Sequence, residues 1–318
     1  MRKLPLIYII LLFLVPSRSS LIFADKDSAT ANMENPSNPL VLLSTSSGDI
    51  YIELFPLEAP KNVKNFLALA HGEIEFKNPN SGNPILPRYF DGMQFHKVIP
   101  ENFIQAGSPL FNPLGYPEQF VEDEINADSL GLDQQPVMDD LGNFNALLNI
   151  GDKSDFQQEL LNPILEDLLI RSEDQIIERQ YELYRLLGEL SLKKAYEHQG
   201  YQYQNNFATR GITRSIVALA NIGPNTNGPE FFIAIQDLNW LNGKHTVIGK
   251  VVEGMDTVDI IGRLTVEPLV PSQFSSHLRG APLLSMCQLS IRQFWYSMSV
   301  GSIFVFWGGR YRWPALTT

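Results

Sequence analysis

The stretch Leu219-Ala220-Asn221-Ile222-Gly223-Pro224-Asn225-Thr226-Asn227-Gly228-Pro229-Glu230-Phe231-Phe232-Ile233 limits the fold more than any other part of this chain. A run of Gly, Pro and Asn rules out continuous helix and predicts a turn-rich loop. That loop runs directly into an apolar strand. The same alternation of short strands and turns recurs elsewhere. Leu40 to Ser44 and Ile50 to Phe55 read as strands around a Ser46-Ser47-Gly48-Asp49 turn. Phe95 to Ile99, Ser215 to Ala220, Phe231 to Ile235 and Thr246 to Val252 read as further strands, with Leu283 to Ile291 as a candidate closing strand. Many short strands of this kind predict a mainly β fold, a closed antiparallel barrel. Ala59-Pro60 opens a helix ending at His71-Gly72, with Val63, Phe66, Leu67 and Leu69 on its buried face. Gly254 to Ile261 reads as a second short helix.

Hydrophobic residues make up 44% of the 318 and charged residues 19%, enough for a packed core. The net charge of −11 lacks the basic stripe of a nucleic-acid binder. Much of it sits in residues 127–209, where 15 acidic residues face 6 basic ones. There Leu165, Leu169, Ile176, Leu183, Leu187 and Leu190 recur at helical spacing. One or two helices over about 155–198 are expected, one starting at Asn162-Pro163 and one at a Ser172/Gln175 capping box. The segment reads as an acidic helical insertion, either a decoration packing its leucines on the barrel or a surface for a partner or substrate.

The ends have their own character. Arg2 and Lys3, the apolar run Leu4 to Pro16, and Ala24 read as a signal peptide over residues 1–24. The run is shorter than the roughly 20 residues of a spanning helix, which favours cleavage over anchoring. Residues 25–39 read as a flexible linker. Cys287 is the sole cysteine, so no intrachain disulfide is available. The tail, 293–318, is apolar and aromatic. Its 294–313 part reads as a peripheral membrane contact, a buried extension or a self-association patch. The expected setting is export to the periplasm, with membrane association through this tail as the alternative to a freely soluble form.

Two further segments flank the opening motif: Phe95-His96-Lys97-Val98-Ile99-Pro100-Glu101-Asn102-Phe103-Ile104-Gln105 and Trp240-Leu241-Asn242-Gly243-Lys244-His245. Together, in this order, the three motifs resemble the cyclophilins, peptidyl-prolyl cis-trans isomerases. The resemblance covers about 40–126 and 210–262, with a return at 282–292. It implies an eight-stranded barrel capped by two helices and spanning 40–292, interrupted by the 127–209 insertion.

The resemblance also implies a chemistry. Rotation about an X–Pro bond meets a barrier of about 18–20 kcal/mol from amide resonance and breaks no bond. The site therefore needs no metal or cofactor. It needs a pocket for the proline ring, main-chain partners for the flanking peptide, and a cation that hydrogen-bonds the prolyl nitrogen as it becomes pyramidal. By resemblance, Lys97 stands where the family usually has the catalytic arginine. Gln105 is the glutamine that orients cation and substrate, and Asn221 the residue whose backbone pairs with substrate. Phe232, Leu241 and His245 match pocket walls, and Phe95, His96, Ala220 and Trp240 other groove positions. Four departures accompany these matches. Lysine lacks arginine's rigid fork. Asn102 replaces the pocket phenylalanine while Phe103 replaces a methionine. Glu230 replaces a glutamine, adding a negative charge that favours basic peptides. Ala106 and Ser108 break the usual glycine–glycine–aspartate run. The implied partners are proline-containing polypeptides and a cyclosporin-like ligand, with no nucleic acid. An alternative is a catalytically weak module that binds proline-containing segments.

Overall fold

A computed structural model describes residues 24–148, 150–264 and, in backbone terms, 288–294. Its centre is a closed antiparallel barrel. The strands are β1 (Leu40–Thr45), β2 (Gly48–Leu54), β5 (Met93–Ile99), β6 (Phe103–Ala106), β7 (Ile216–Leu219), β8 (Phe231–Ala234), β9 (Val247–Glu253) and β10 (Gln288–Phe294). They pair in the order β1-β10-β5-β6-β8-β7-β9-β2, and β2 returns to β1 to close the ring. A two-stranded ribbon of β3 (Phe76–Lys77) and β4 (Pro84–Ile85) lies outside it. The eight-stranded barrel expected from the sequence is present, with shifted ends. The first hairpin turns through Ser46 and Ser47 alone, because Thr45 already pairs with Gly48. The closing strand is displaced C-terminally from the expected 283–291: Leu40 pairs with Phe294 and Met93 with Leu289. Residues 283–287 and the 295–318 part of the tail lie outside the described residues, as do residues 1–23 of the expected signal.

Alternation along the strands fills the barrel. Val41, Leu43, Ile50, Ile52, Ile104, Val217, Leu219, Phe231, Ile233 and Ile248 share one buried cluster. Two helices bury their apolar faces in it: α2 (Pro60–His71) through Val63, Phe66 and Leu69, and α8 (Met255–Ile261) through Val258 and Ile261. Phe66, Phe90 and Phe231 meet there at ring distances of 5.1–5.8 Å. The α2 N-cap, Ala59, has no side chain to offer the first turn. Glu124 supplies it from across the fold, accepting from the N–H groups of Lys61 (3.1 Å) and Asn62 (2.9 Å).

The insertion differs from expectation in its helices and its packing. Helical backbone begins at α3 (Lys153–Phe156), continues through a π turn over Gln157–Leu161 and runs into α4 (Asn162–Asp167). Asn162-Pro163 does open α4, with the proline in its first turn, but as the continuation of a helical run and not after a break. The widened turn lies just where Pro163 has no N–H to give the preceding turn. Three more helices follow: α5 (Glu173–Glu178), α6 (Gln180–Glu189) and α7 (Leu192–His198). Ser172 does cap α5, accepting from the Gln175 N–H, and Gln175 reaches back to the Arg171 N–H at 2.7 Å. The leucines do not decorate the barrel. Leu160, Ile164, Leu183, Leu187, Leu190 and Tyr196 form a separate core with Leu132, Val137 and Leu148. Leu169, expected in the buried stripe, is 71% exposed.

The expected flexible linker at 25–39 is ordered instead. Asp25 caps a helix, α1 (Lys26–Ala31), by accepting from the Ser28 N–H. Asn32 donates to the Val252 carbonyl, and Ala29 is fully buried. The anchor is Glu53 of β2, wholly buried, which accepts from the N–H groups of Glu34 (2.9 Å) and Asn35 (3.0 Å) and from Asn38 Nδ2 (2.8 Å). Such polar anchoring was invisible in a Ser/Asn/Pro-rich stretch read by composition. Glu53→Ala strands three donors and is expected to cost roughly 2–3 kcal/mol. Urea unfolding checks this; a loss below about 0.5 kcal/mol would show that the segment is not held by this carboxylate.

Candidate functional site

Strict alternation along β5 would place Phe95 and Lys97 on one face. The structure separates them. Phe95 pairs with Ala106 and Lys97 with Gln105, so one extra residue, His96, is bulged out of the ladder. Phe95 turns into the barrel core, while Lys97 turns outward and is solvent-exposed. Phe95 is thus corrected from groove residue to core residue. The bulge brings Lys97 opposite Gln105, Gln105 opposite Phe232, Phe232 opposite Ala218 and Ala218 opposite Val247. These pairs form a continuous row across five strands, with directly opposed side chains about 5 Å apart.

An apolar cluster distinct from the barrel core carries this face: Phe55, Phe103, Ala218, Phe232, Leu241 and Val247, with Ile99 and Ala220 against it. Phe103 and Phe232 meet at 5.3 Å, and Lys97 Nζ lies 5.4 Å from the Phe103 ring centre. Asn102 folds back in the strand turn, its Nδ2 donating to Pro100 O at 3.1 Å, while Phe103 lies in the apolar cluster against Phe232.

His245 stands edge-on to Phe232 on this face, 5.4 Å away at 88°. Its Nδ1 lies 3.0 Å from Leu219 O. A carbonyl only accepts, so Nδ1 carries the proton and Nε2 keeps its lone pair. Burial pushes its pKa from 6.5 down to about 4. Trp240, in a single 3₁₀ turn over Asn239–Leu241, stands 47% exposed at the rim. Leu241 is buried in the cluster beside it.

Gln105 does not brace Lys97. Its Nε2 donates to Glu230 Oε1 at 2.7 Å, and the same oxygen lies 2.8 Å from His96 Nε2. His96 stacks on Phe111 with its side chain 9% exposed, so it supports Glu230 from behind rather than facing a ligand. The Glu230 charge is therefore engaged in this network and not displayed freely toward basic peptides. Glu230 O also accepts from the Ala220 N–H at 2.9 Å. Asn221 spends its side chain on the Lys244 carbonyl (2.9 Å) and on Asn227 Oδ1 (3.3 Å).

The Gly/Pro/Asn loop is pinned by residues that the motifs did not single out. Asp123 exchanges bonds with Asn225 (2.7 and 2.9 Å) and accepts from the buried Asn227 Nδ2 (2.8 Å). Gly107, at φ +86°, passes so close to Pro229 O that any Cβ would collide with it. Sequence reasoning also missed Phe55 and Arg210. The Arg210 guanidinium sits 4.2 Å over the Phe55 ring and is held by Glu58 and Glu34. Neither belongs to the three motifs, so pattern reading had no handle on them.

The His245 environment predicts a pH effect. Between pH 6.5 and about 4 the unfolded chain binds a proton that folded His245 refuses, so this group makes stability fall as the pH falls through that window. Urea midpoints measured from pH 7 to pH 4.5 are expected to drop less steeply in His245→Leu than in the wild type. Parallel slopes would remove His245 as a cause.

A family profile described as "Cyclophilin type peptidyl-prolyl cis-trans isomerase/CLD" matches residues 40–275. Peptidyl-prolyl cis-trans isomerase B of Streptomyces anulatus is 28% identical over 228 residues, covering 71% of this chain and 85% of that protein. Human peptidyl-prolyl cis-trans isomerase-like 1 is 26% identical, covering 70% and 80%. Among solved structures, a cyclophilin type isomerase of Cryptosporidium parvum aligns over 82% of this chain and 99% of its own, at 18% identity and a TM-score of 0.43. With a family profile spanning most of its length, the chain belongs to the cyclophilin-type peptidyl-prolyl cis-trans isomerases and is an isomerase of that class.

Proposed function

We propose that this isomerase is exported, assists the folding of extracytoplasmic proteins, and uses Lys97 as the cation at the reacting prolyl nitrogen. The observation that carries the site assignment is the cross-strand row that places Lys97, Gln105 and Phe232 side by side on one outer face. The proline ring of a substrate seats among Phe103, Phe232, Leu241 and His245. Lys97 Nζ donates to the prolyl nitrogen as the peptide twists, an interaction absent from the planar amide. Gln105 Nε2 gives one hydrogen to Glu230 and retains a second for the substrate carbonyl. Asn221 pairs with the substrate chain through its backbone. A cyclosporin-like cyclic peptide would compete for the same apolar pocket.

Export is supported by Arg2, Lys3, the Leu4–Pro16 run and Ala24. Cleavage after Ala24 would leave Asp25, the cap of α1, as the first residue. N-terminal sequencing of protein recovered from the periplasm of a Gram-negative host is expected to begin at Asp25; an intact Met1 in the cytoplasmic fraction would overturn export. The 294–313 segment is read as a peripheral membrane contact. Co-sedimentation with anionic vesicles, compared between the full chain and one ending at Phe294, tests that.

For the chemistry, a protease-coupled assay on proline tetrapeptides is expected to lose roughly 10²–10³-fold in kcat/KM for Lys97→Ala. Lys97→Arg is expected to exceed the wild type, since a planar fork holds the nitrogen and a neighbouring carbonyl in one geometry. Undiminished catalysis in Lys97→Ala would move the cation's role elsewhere. Wild-type binding without catalysis would favour a module that merely holds proline-containing segments.

A further inference from the structure

The loop that carries Trp240, Leu241 and His245 does not stand on the barrel alone. Tyr203, at the exit of the acidic insertion, donates its hydroxyl to the Gly243 carbonyl at 3.0 Å. Gly243 adopts φ +82°, and a Cβ there would stand 2.5 Å from Leu132 Cδ1 and 3.3 Å from the Tyr196 ring. The next residue, Lys244, lays its ammonium 4.5 Å over the Tyr196 ring centre. Tyr196 is itself fully buried, its hydroxyl donating to Leu147 O at 2.9 Å. Three insertion residues, Leu132, Tyr196 and Tyr203, thus grip two consecutive loop residues. Those two lead straight to the site: the Lys244 carbonyl accepts from Asn221 Nδ2, and His245 follows in sequence.

We infer that the helical insertion is a positioning element for the proline pocket, with Tyr203 and Tyr196 holding the 243–245 backbone so that His245 and Asn221 face the substrate correctly. This rests on the isomerase site described above. A surface decoration would need no hydroxyl aimed at a carbonyl of this loop and no ring clamped beneath the adjacent lysine. Leu183 belongs to the same insertion core as Leu132 and Tyr196, whereas the Tyr203 hydroxyl bonds the loop directly, so a cavity at Leu183 and loss of that one bond separate general loosening of the insertion from loss of its hold on the loop.

The experiment compares three full-length proteins: wild type, Tyr203→Phe and Leu183→Ala. Tyr203→Phe keeps the ring, stacked 6.5 Å from Tyr201, and deletes only the hydrogen bond to Gly243. Leu183→Ala opens a cavity in the insertion core without touching the loop. Kinetics on proline tetrapeptides at 10 °C are expected to show a fall of about three- to tenfold in kcat/KM for Tyr203→Phe, the scale of one hydrogen bond. Leu183→Ala should lose more thermal stability and keep its kcat/KM. Unchanged kcat/KM in Tyr203→Phe overturns the inference, as does activity that tracks melting temperature in both variants. A wild type without catalysis would sink the isomerase site alone. The inference is then decided by NMR titration of His245, whose pKa rises from about 4 in Tyr203→Phe if the loop has loosened and stays if it has not.

Discussion

A single extra residue in β5 sets up this site. Where His96 is bulged, the pleat changes phase: Phe95 enters the barrel and Lys97 leaves it. Without that slip, Lys97 would point into a core of Phe, Ile and Val, where an unpaired ammonium is strongly disfavoured. With it, the cation stands beside Gln105 and Phe103, above an apolar floor. The bulged residue is also used. His96 fills the space with its ring on Phe111 and its Nε2 against Glu230, and Glu230 in turn holds Gln105.

The polar network around Glu230 departs from what resemblance alone implied. An arginine at position 97 would reach for the glutamine with a fork; a lysine has only a compact charge to offer. In this chain Gln105 takes its partner from the neighbouring strand instead, and Lys97 rests over the Phe103 ring. A neutral glutamine at 230 would have no charge to share between His96 and Gln105, and Glu230 gives both one strong acceptor.

Legibility differed between elements for physical reasons. Strands β7, β8 and β9 and helices α2 and α8 were readable to within a residue or two. Their apolar periodicity is dictated by burial, and Gly72 and Gly254 punctuate them with positive φ. The 25–39 segment was not readable, because it is fixed by donors to a carboxylate distant in sequence, Glu53, and not by any periodicity of its own. In the insertion, helical spacing was visible but packing partners were not. A leucine stripe says that something is buried, not whether it meets the barrel or a second core.

The sequence by itself determined the barrel, its helices and the chemical inventory of the groove, since strand length, turn residues and residue type are local properties of the chain. Tertiary structure alone decided which of those residues share a face. Phe95 and Lys97 are two apart in sequence yet on opposite sides of the sheet, while of the neighbours Asn102 and Phe103 only Phe103 joins the apolar face and Asn102 folds back onto the strand turn. It also decided that the acidic insertion grips Gly243 and Lys244. Both outcomes depend on pairing between segments far apart in the chain, and a one-residue change in register reverses every side chain's direction.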